Sequence, residues 1–189
     1  MGTCVLRCGG MFDGVADRLS GPVEILVEDD RIAEIGPTVR RPPDAQTIDL
    51  SQRTVSPGFI DCHVHLTMDA ANLAQQTLAS RNALAAGLVE GPRLIVAAHI
   101  ISSSAGHGDL RGFYGPRWDI PVSAIADDAG TIKALVRREH AFGSDWIKTT
   151  NTGGYFSPGD DPARVTWFDD ELNLLAATAR QLGLPVAVH

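Results

Sequence analysis

The chain has 189 residues, 44% of them hydrophobic and 21% charged, with a formal net charge of −7. That composition is ordinary for a globular protein, and its negative mean field repels nucleic acid and anionic membranes, so neither is expected as a partner. No run of apolar residues is long enough to span a bilayer and no charged-then-apolar leader opens the chain, so the default location is the cytoplasm.

Residues 1–56 read as short strands. VEILVEDDRIAEIG is two β-rich runs around a polar break at Glu28, Asp29, Asp30 and Arg31, with apolar alternation on both sides. TVRRPPDAQ is a loop, because Pro42 and Pro43 can neither donate to a ladder nor continue a helix. Ile48, Leu50 and Val55 suggest a further strand. Cys4, Cys8 and Cys62 are the only cysteines. An odd, sparse set fits free thiols in a reducing compartment rather than a disulfide framework. Two thiols without a second pair nearby make a poor zinc site, so Cys4 and Cys8 are read as strand residues.

The character changes at SPGFIDCHVHL, a turn at Pro57 and Gly58 followed by a compact β-like run. A helix is expected over about residues 70–88, and then RLIVAAHII as a strand covered on both faces, as in a parallel sheet. The Gly/Ser-rich loop SSSAGHGDLRGFYGP follows it. Asp127 or Asp128 is placed to cap a helix ending at Gly143. DWIKTT reads as a short strand opening into NTGGYFSPGDD. A helix over about 169–182 with Gly183 behind it precedes the strand LPVAVH. Strand, loop and helix in repeated order indicate an α/β fold with a parallel sheet. Glycine-rich loops lying after strands favour a (β/α) barrel, where function collects at the C-terminal strand ends.

Four residues carry the chemistry. On a strand, His63 and His65 project from the same side about 7 Å apart, suited to gripping one cation, with Asp61 on that face to orient a ligand. Chance placement of two histidines about a valine is the alternative. Lys148 lies in a strand expected to be buried, where a cationic amine is costly. Its stem could be packed with the head in water, its neutral amine could form a Schiff base, or it could react with carbon dioxide to give a carbamate able to bridge two metals. His189 ends a strand in the position matching His65 and Lys148, although a core histidine is the plain reading. His107, in SAGHGD, is a candidate for contacting substrate or polarising a carbonyl, or else an exposed loop histidine. His99 and His140 are read as structural. The Gly153–Gly154 pair would let backbone N–H groups approach a ligand, or form a turn.

The blocks VSPGFIDCHVHL, EGPRLIVAAHIISSSAGHGD, GSDWIKTTNTGGYFSP and LGLPVAVH, in that order, resemble the amidohydrolase superfamily. The nearest likeness is to its imidazolonepropionase-like branch with the Xaa-Pro dipeptidases. VEILVEDDRIAEIG resembles that family's N-terminal β-sandwich. The resemblance implies a small β-sandwich portion at 1–56 and part of a (β/α)8 TIM-type barrel at 57–189. It implies that His63 and His65 are the histidine pair of the first barrel strand, Lys148 the carboxylated lysine of the fourth and His189 the metal-binding histidine of the fifth. It further implies two divalent ions, zinc by ligand type, and attack by a metal-bridging hydroxide on an amide, peptide or cyclic amide carbonyl. The substrate would be a small molecule or dipeptide, and the catalytic Asp would lie beyond residue 189. Oligomeric state is left open.

Two departures qualify this. LASRNALAAGLVEGPR joins the first helix directly to the Gly-Pro-Arg block, so the family's second barrel strand is absent, and the chain stops at the fifth. A barrel takes roughly 250 residues, so the chain is expected to be an incomplete piece with open, poorly soluble sheet edges. The competing functions are a non-catalytic remnant or interaction module with an incomplete metal site, and a Schiff-base lyase using Lys148.

Overall fold

The computed structural model describes residues 2–65, 73–109, 111, 123–155 and 161–189. It shows an α/β fold with two four-stranded sheets and, among the described residues, three helices. The chain divides into two compact units, Met1–Val64 and His65–His189.

The first unit is built from β1 (Thr3–Met11), β2 (Val23–Glu28), β3 (Arg31–Gly36) and β4 (Gln46–Val55) in the order β3-β2-β1-β4. β1 pairs antiparallel with β2 and parallel with β4, and β2 pairs antiparallel with β3. The β2–β3 hairpin turns at Asp29, whose φ of 56° is left-handed, a conformation that Asp tolerates because its short side chain bonds locally. Val5, Leu26 and Val39 form one apolar cluster, and Cys8, Val23 and Ile25 another. Cys4 and Cys8 lie in β1 as free thiols. The strands end at Val55, and residues 57–64 group with this unit.

The second unit holds α1 (Leu73–Ala85), β5 (Ile100–Ser102), β6 (Ser123–Ile125), α2 (Ala129–Phe142), β7 (Ile147–Thr149), α3 (Asp169–Gln181) and β8 (Val186–Val188). Its sheet is parallel throughout, in the order β6-β5-β7-β8. Ile101, Ile132, Val136, Ile147, Leu175 and Ala179 form the centre of its core. Asp128 caps α2 by accepting from Gly130 N at 2.7 Å and Thr131 N at 3.0 Å, and Gly143 closes it at a φ of 83°. Three acidic residues open α3, where they favour the positive end of the helix dipole. Gly183 turns the chain beyond it at a φ of 73°. Among the described residues no helix is long and apolar enough to cross a membrane.

Three expectations are corrected. His63 and His65 lie on no strand; the Asp61 carboxylate accepts from His63 N at 3.0 Å, a local bond that competes with ladder pairing. The run RLIVAAHII is a strand only from Ile100. Before it, the backbone N–H groups of Val96, Ala98 and His99 donate to the Asp145 carboxylate, Ser144 Oγ and the Glu139 carboxylate at 2.9, 3.0 and 3.1 Å. Those donors are satisfied by side chains, so no strand neighbour is required. β6 is a strand that the sequence reading does not include. The helix expected over 70–88 is narrower, and residues 70–72 lie outside the described residues.

Candidate active site

Of the candidate residues, Lys148, His107 and His189 lie in or just after strands of the parallel sheet, and His63 and His65 do not. Lys148 is the middle residue of β7, in register with Ile100 of β5 and Ala187 of β8. Its neighbours Ile147 and Thr149 are fully buried. Burial pushes the Lys148 amine below its ordinary value, since a desolvated ammonium is disfavoured. Thr149 Oγ1 donates to Ile101 O at 2.8 Å, and Thr150 Oγ1 donates to Ser102 Oγ at 3.1 Å. These bonds tie the end of β7 to β5.

His189 follows β8. Its N–H donates to Thr149 O at 3.0 Å and its carbonyl accepts from Asn151 N at 3.0 Å, so its backbone is held on both sides by the β7 end. The His107 ring stacks on the His189 ring, with centroids 4.8 Å apart and planes 13° from parallel.

His107 is delivered by a clamped loop. Gly108 N donates to Thr150 Oγ1 at 3.3 Å. Arg111 grips Asp109 through Nε and Nη2, both at 2.7 Å, and its Nη2 also donates to Ser104 Oγ at 2.9 Å. Ser104 in turn donates from N and Oγ to the Asp127 carboxylate at 2.7 and 2.6 Å. Asp109 accepts from Ala105 N at 2.9 Å, and Ala105 takes a left-handed φ of 59°. The Arg111 hydrogen bonds hold the Asp109 carboxyl down at about 2. Sequence reasoning missed this clamp, although an acid two residues before an arginine in a glycine-rich loop is its trace.

His99 is the partner of a buried acid. Its Nδ1 lies 2.8 Å from Glu139 Oε1, and Ser144 Oγ donates to Glu139 Oε2 at 3.3 Å. Burial alone would push the Glu139 carboxyl up; the bonds and charge of His99 outweigh it and hold the group low. His63 falls in the first unit and His65 in the second, both exposed. Among the described residues no three His, Cys, Asp or Glu side chains are gathered as a metal cluster.

Comparison with known proteins gives this geometry a context. A model described as the amidohydrolase family matches residues 54–189. A dihydroorotase of Anaeromyxobacter sp. (strain K) is 33% identical over 79 residues, which cover 42% of this chain and 18% of that protein. A solved Xaa-Pro dipeptidase with bound methionine in its active site superposes with a TM-score of 0.84 at 24% identity. The match covers 99% of this chain and 56% of that one. A solved prolidase complexed with N-methylphosphonate-L-proline gives a TM-score of 0.81 at 26% identity with the same coverage. The chain therefore spans about half the length of these solved relatives and less than a fifth of the dihydroorotase.

Proposed function

Because the chain belongs to the amidohydrolase family, we propose that it supplies part of the active site of a metal-dependent hydrolase acting on an amide, peptide or cyclic amide bond. In this reading the first unit is a portion of a β-sandwich, and the parallel sheet is part of a (β/α)8 barrel whose C-terminal strand ends carry the chemistry. The substrate is a small molecule or dipeptide.

The observation that carries the reading is the half-buried amine of Lys148, depressed by desolvation, one strand away from His189 in the same parallel sheet. A depressed amine has more of the neutral form that combines with carbon dioxide, and the resulting carbamate offers two anionic oxygens. Together with imidazole nitrogens it forms a mixed N/O donor set that suits zinc, with manganese, iron or cobalt as alternatives. In this reading two divalent ions would be held by His63, His65, carboxylated Lys148 and His189. Such ions supply Lewis-acid polarisation of a carbonyl and a nucleophile at neutral pH. His189 is fixed for its part by the hydrogen bonds of its backbone to Thr149 and Asn151. His107, stacked beside it, would in this reading donate to a substrate carbonyl oxygen.

The test is metal analysis and amide hydrolysis by the protein as its source makes it. About two zinc-like ions per chain are expected, lost together with activity in Lys148→Ala. Hydrolysis that survives complete metal removal would sink the proposal. The same depressed amine would also serve a Schiff base; irreversible trapping of a carbonyl compound on Lys148 by borohydride, without bound metal, would favour that second reading.

A further inference from the structure

The contact between His107 and His189 joins two strands that are not neighbours. His107 follows β5 and His189 follows β8, while β7 lies between them in the sheet. The loop leaving β7 includes Gly154, which is buried. A Cβ placed on Gly154 would overlap the His107 imidazole at Cε1, Nδ1 and Nε2. Gly154 is not among the residues with positive φ, so its backbone would accept any L residue. Space alone demands glycine here. The overlap falls first on the ring, because the three nearest atoms to that Cβ all belong to His107.

The stack also divides the work of the two histidines. Imidazole lone pairs lie in the ring plane, and a zinc–nitrogen bond is about 2.0–2.1 Å long. Two rings with centroids 4.8 Å apart and planes 13° from parallel cannot both aim a nitrogen at one ion. Each must therefore use its own edge.

We infer that Gly154 is a positioning residue, whose missing Cβ seats the His107 ring so that it stacks on His189 and fixes the orientation of both imidazoles. The assignment of His189 to metal and His107 to substrate rests on the function proposed above; the seat itself does not. On its other flank, the loop is held by the Asp109–Arg111–Ser104–Asp127 chain of bonds. Gly154 thus controls the ring while that clamp controls the backbone.

The experiment uses the full chain in chelator, with no metal and no substrate, so a protein that proves not to be a hydrolase leaves the test intact. Histidine ring resonances and urea unfolding midpoints are measured for the parent, Gly154→Ala, His107→Ala and the double variant. Gly154→Ala is expected to move the His189 ring resonances in the same direction as His107→Ala and to lower the midpoint. In the His107→Ala background, adding Gly154→Ala is expected to change neither quantity. If Gly154→Ala alone fails to fold, recovery of folding in the double variant supports the seat. The inference is overturned if His107→Ala leaves the His189 resonances in place, if Gly154→Ala does, or if Gly154→Ala is as disruptive without the His107 ring as with it.

Discussion

The two units of this chain bury different things. Every buried polar or charged side chain among the described residues lies in the second unit, Glu139, Ser144, Thr149 and Thr150 among them. In the first unit the residues in the buried class are apolar apart from Cys8; of its charges, Arg40 and Glu28 pair at the surface at 2.8 Å, whereas Glu24, 14% exposed, pairs with Arg41 and accepts from Val39 N. The first unit has strands of six to ten residues, long enough for ladder hydrogen bonds to satisfy most of their backbone. Strands of the second sheet have three residues each. On the approach to β5 the backbone is satisfied instead by the side chains of Glu139, Ser144 and Asp145, which must then be exactingly placed. Long ladders make a scaffold that tolerates change, whereas short strands with buried polar ties fix the strand ends where function collects.

The sharpest way to break this contrast is Glu139→Ala. The carboxylate is 1% exposed and serves His99 N, His99 Nδ1 and Ser144 Oγ. Removing it leaves those donors buried without an acceptor. A loss of about 3 kcal/mol is expected, at the low end of the roughly 3–5 kcal/mol typical of deleting one partner of a buried pair. Urea unfolding resolved by amide exchange should place the loss in the second unit and leave protection of β1 and β2 unchanged. A loss below about 1 kcal/mol, the scale of an exposed pair, would mean that water replaces the carboxylate and that the second unit is no more dependent on buried ties than the first.

This same division decides what could be read from the sequence. The β2–β3 hairpin, the caps of α2 at Asp128 and Gly143, and the turn at Gly183 are local features, and each stands where its own residues put it. RLIVAAHII was misread for a nonlocal reason: its N–H partners come from residues forty or more positions away. An apolar run says that a segment is buried but not whether strand neighbours or side chains satisfy its backbone. His63 and His65 are expected on a strand because their segment reads as a compact β-like run, yet Phe59 and Ile60 before them are both largely exposed, and a short run says nothing of which neighbours would cover it. Lys148 in β7 and His189 just after β8 lie on neighbouring strands of a parallel sheet, as the repeated strand, loop and helix order implies. Gly154 was visible only as one of a glycine pair. That its room is taken by a histidine 47 residues earlier (154 − 107) is a fact of packing and leaves no mark in the letters.

A milder perturbation sharpens the comparison through pH. Asp109 has a folded value of about 2 against an ordinary 3.8, so its folded-state carboxylate is favoured over its unfolded one. The stability this contributes is present above the unfolded value and is lost as pH falls through about 2. Asp109→Asn removes the titration while preserving shape, so its stability should fall less steeply than the parent's between 3.8 and about 2, with the difference confined to amides of the loop carrying His107. Parallel acid profiles for parent and variant would mean that Arg111 does not hold Asp109 in solution.

The smallest effect is expected where the geometry looks equally good. Arg40 Nη2 lies 2.8 Å from Glu28 Oε1 in the first unit, and Arg81 Nη1 lies 2.8 Å from Asp145 Oδ2 in the second. Distance does not separate them, but surroundings do. The Arg40 and Glu28 side chains are 61% and 40% exposed, so water screens the pair and the two long side chains give up rotamer freedom to make it. The Arg81 and Asp145 side chains are 20% and 37% exposed; Arg81 also donates to Gly143 O at 2.7 Å and Asp145 accepts from Val96 N, so that pair belongs to the ties around the β5 approach. Arg40→Ala should therefore cost less than about 1 kcal/mol in urea unfolding, and the cost should shrink further in high salt. A larger, salt-insensitive loss would show that the surface charges of the first unit are structural ties too, and the distinction between the two units would rest on strand length alone.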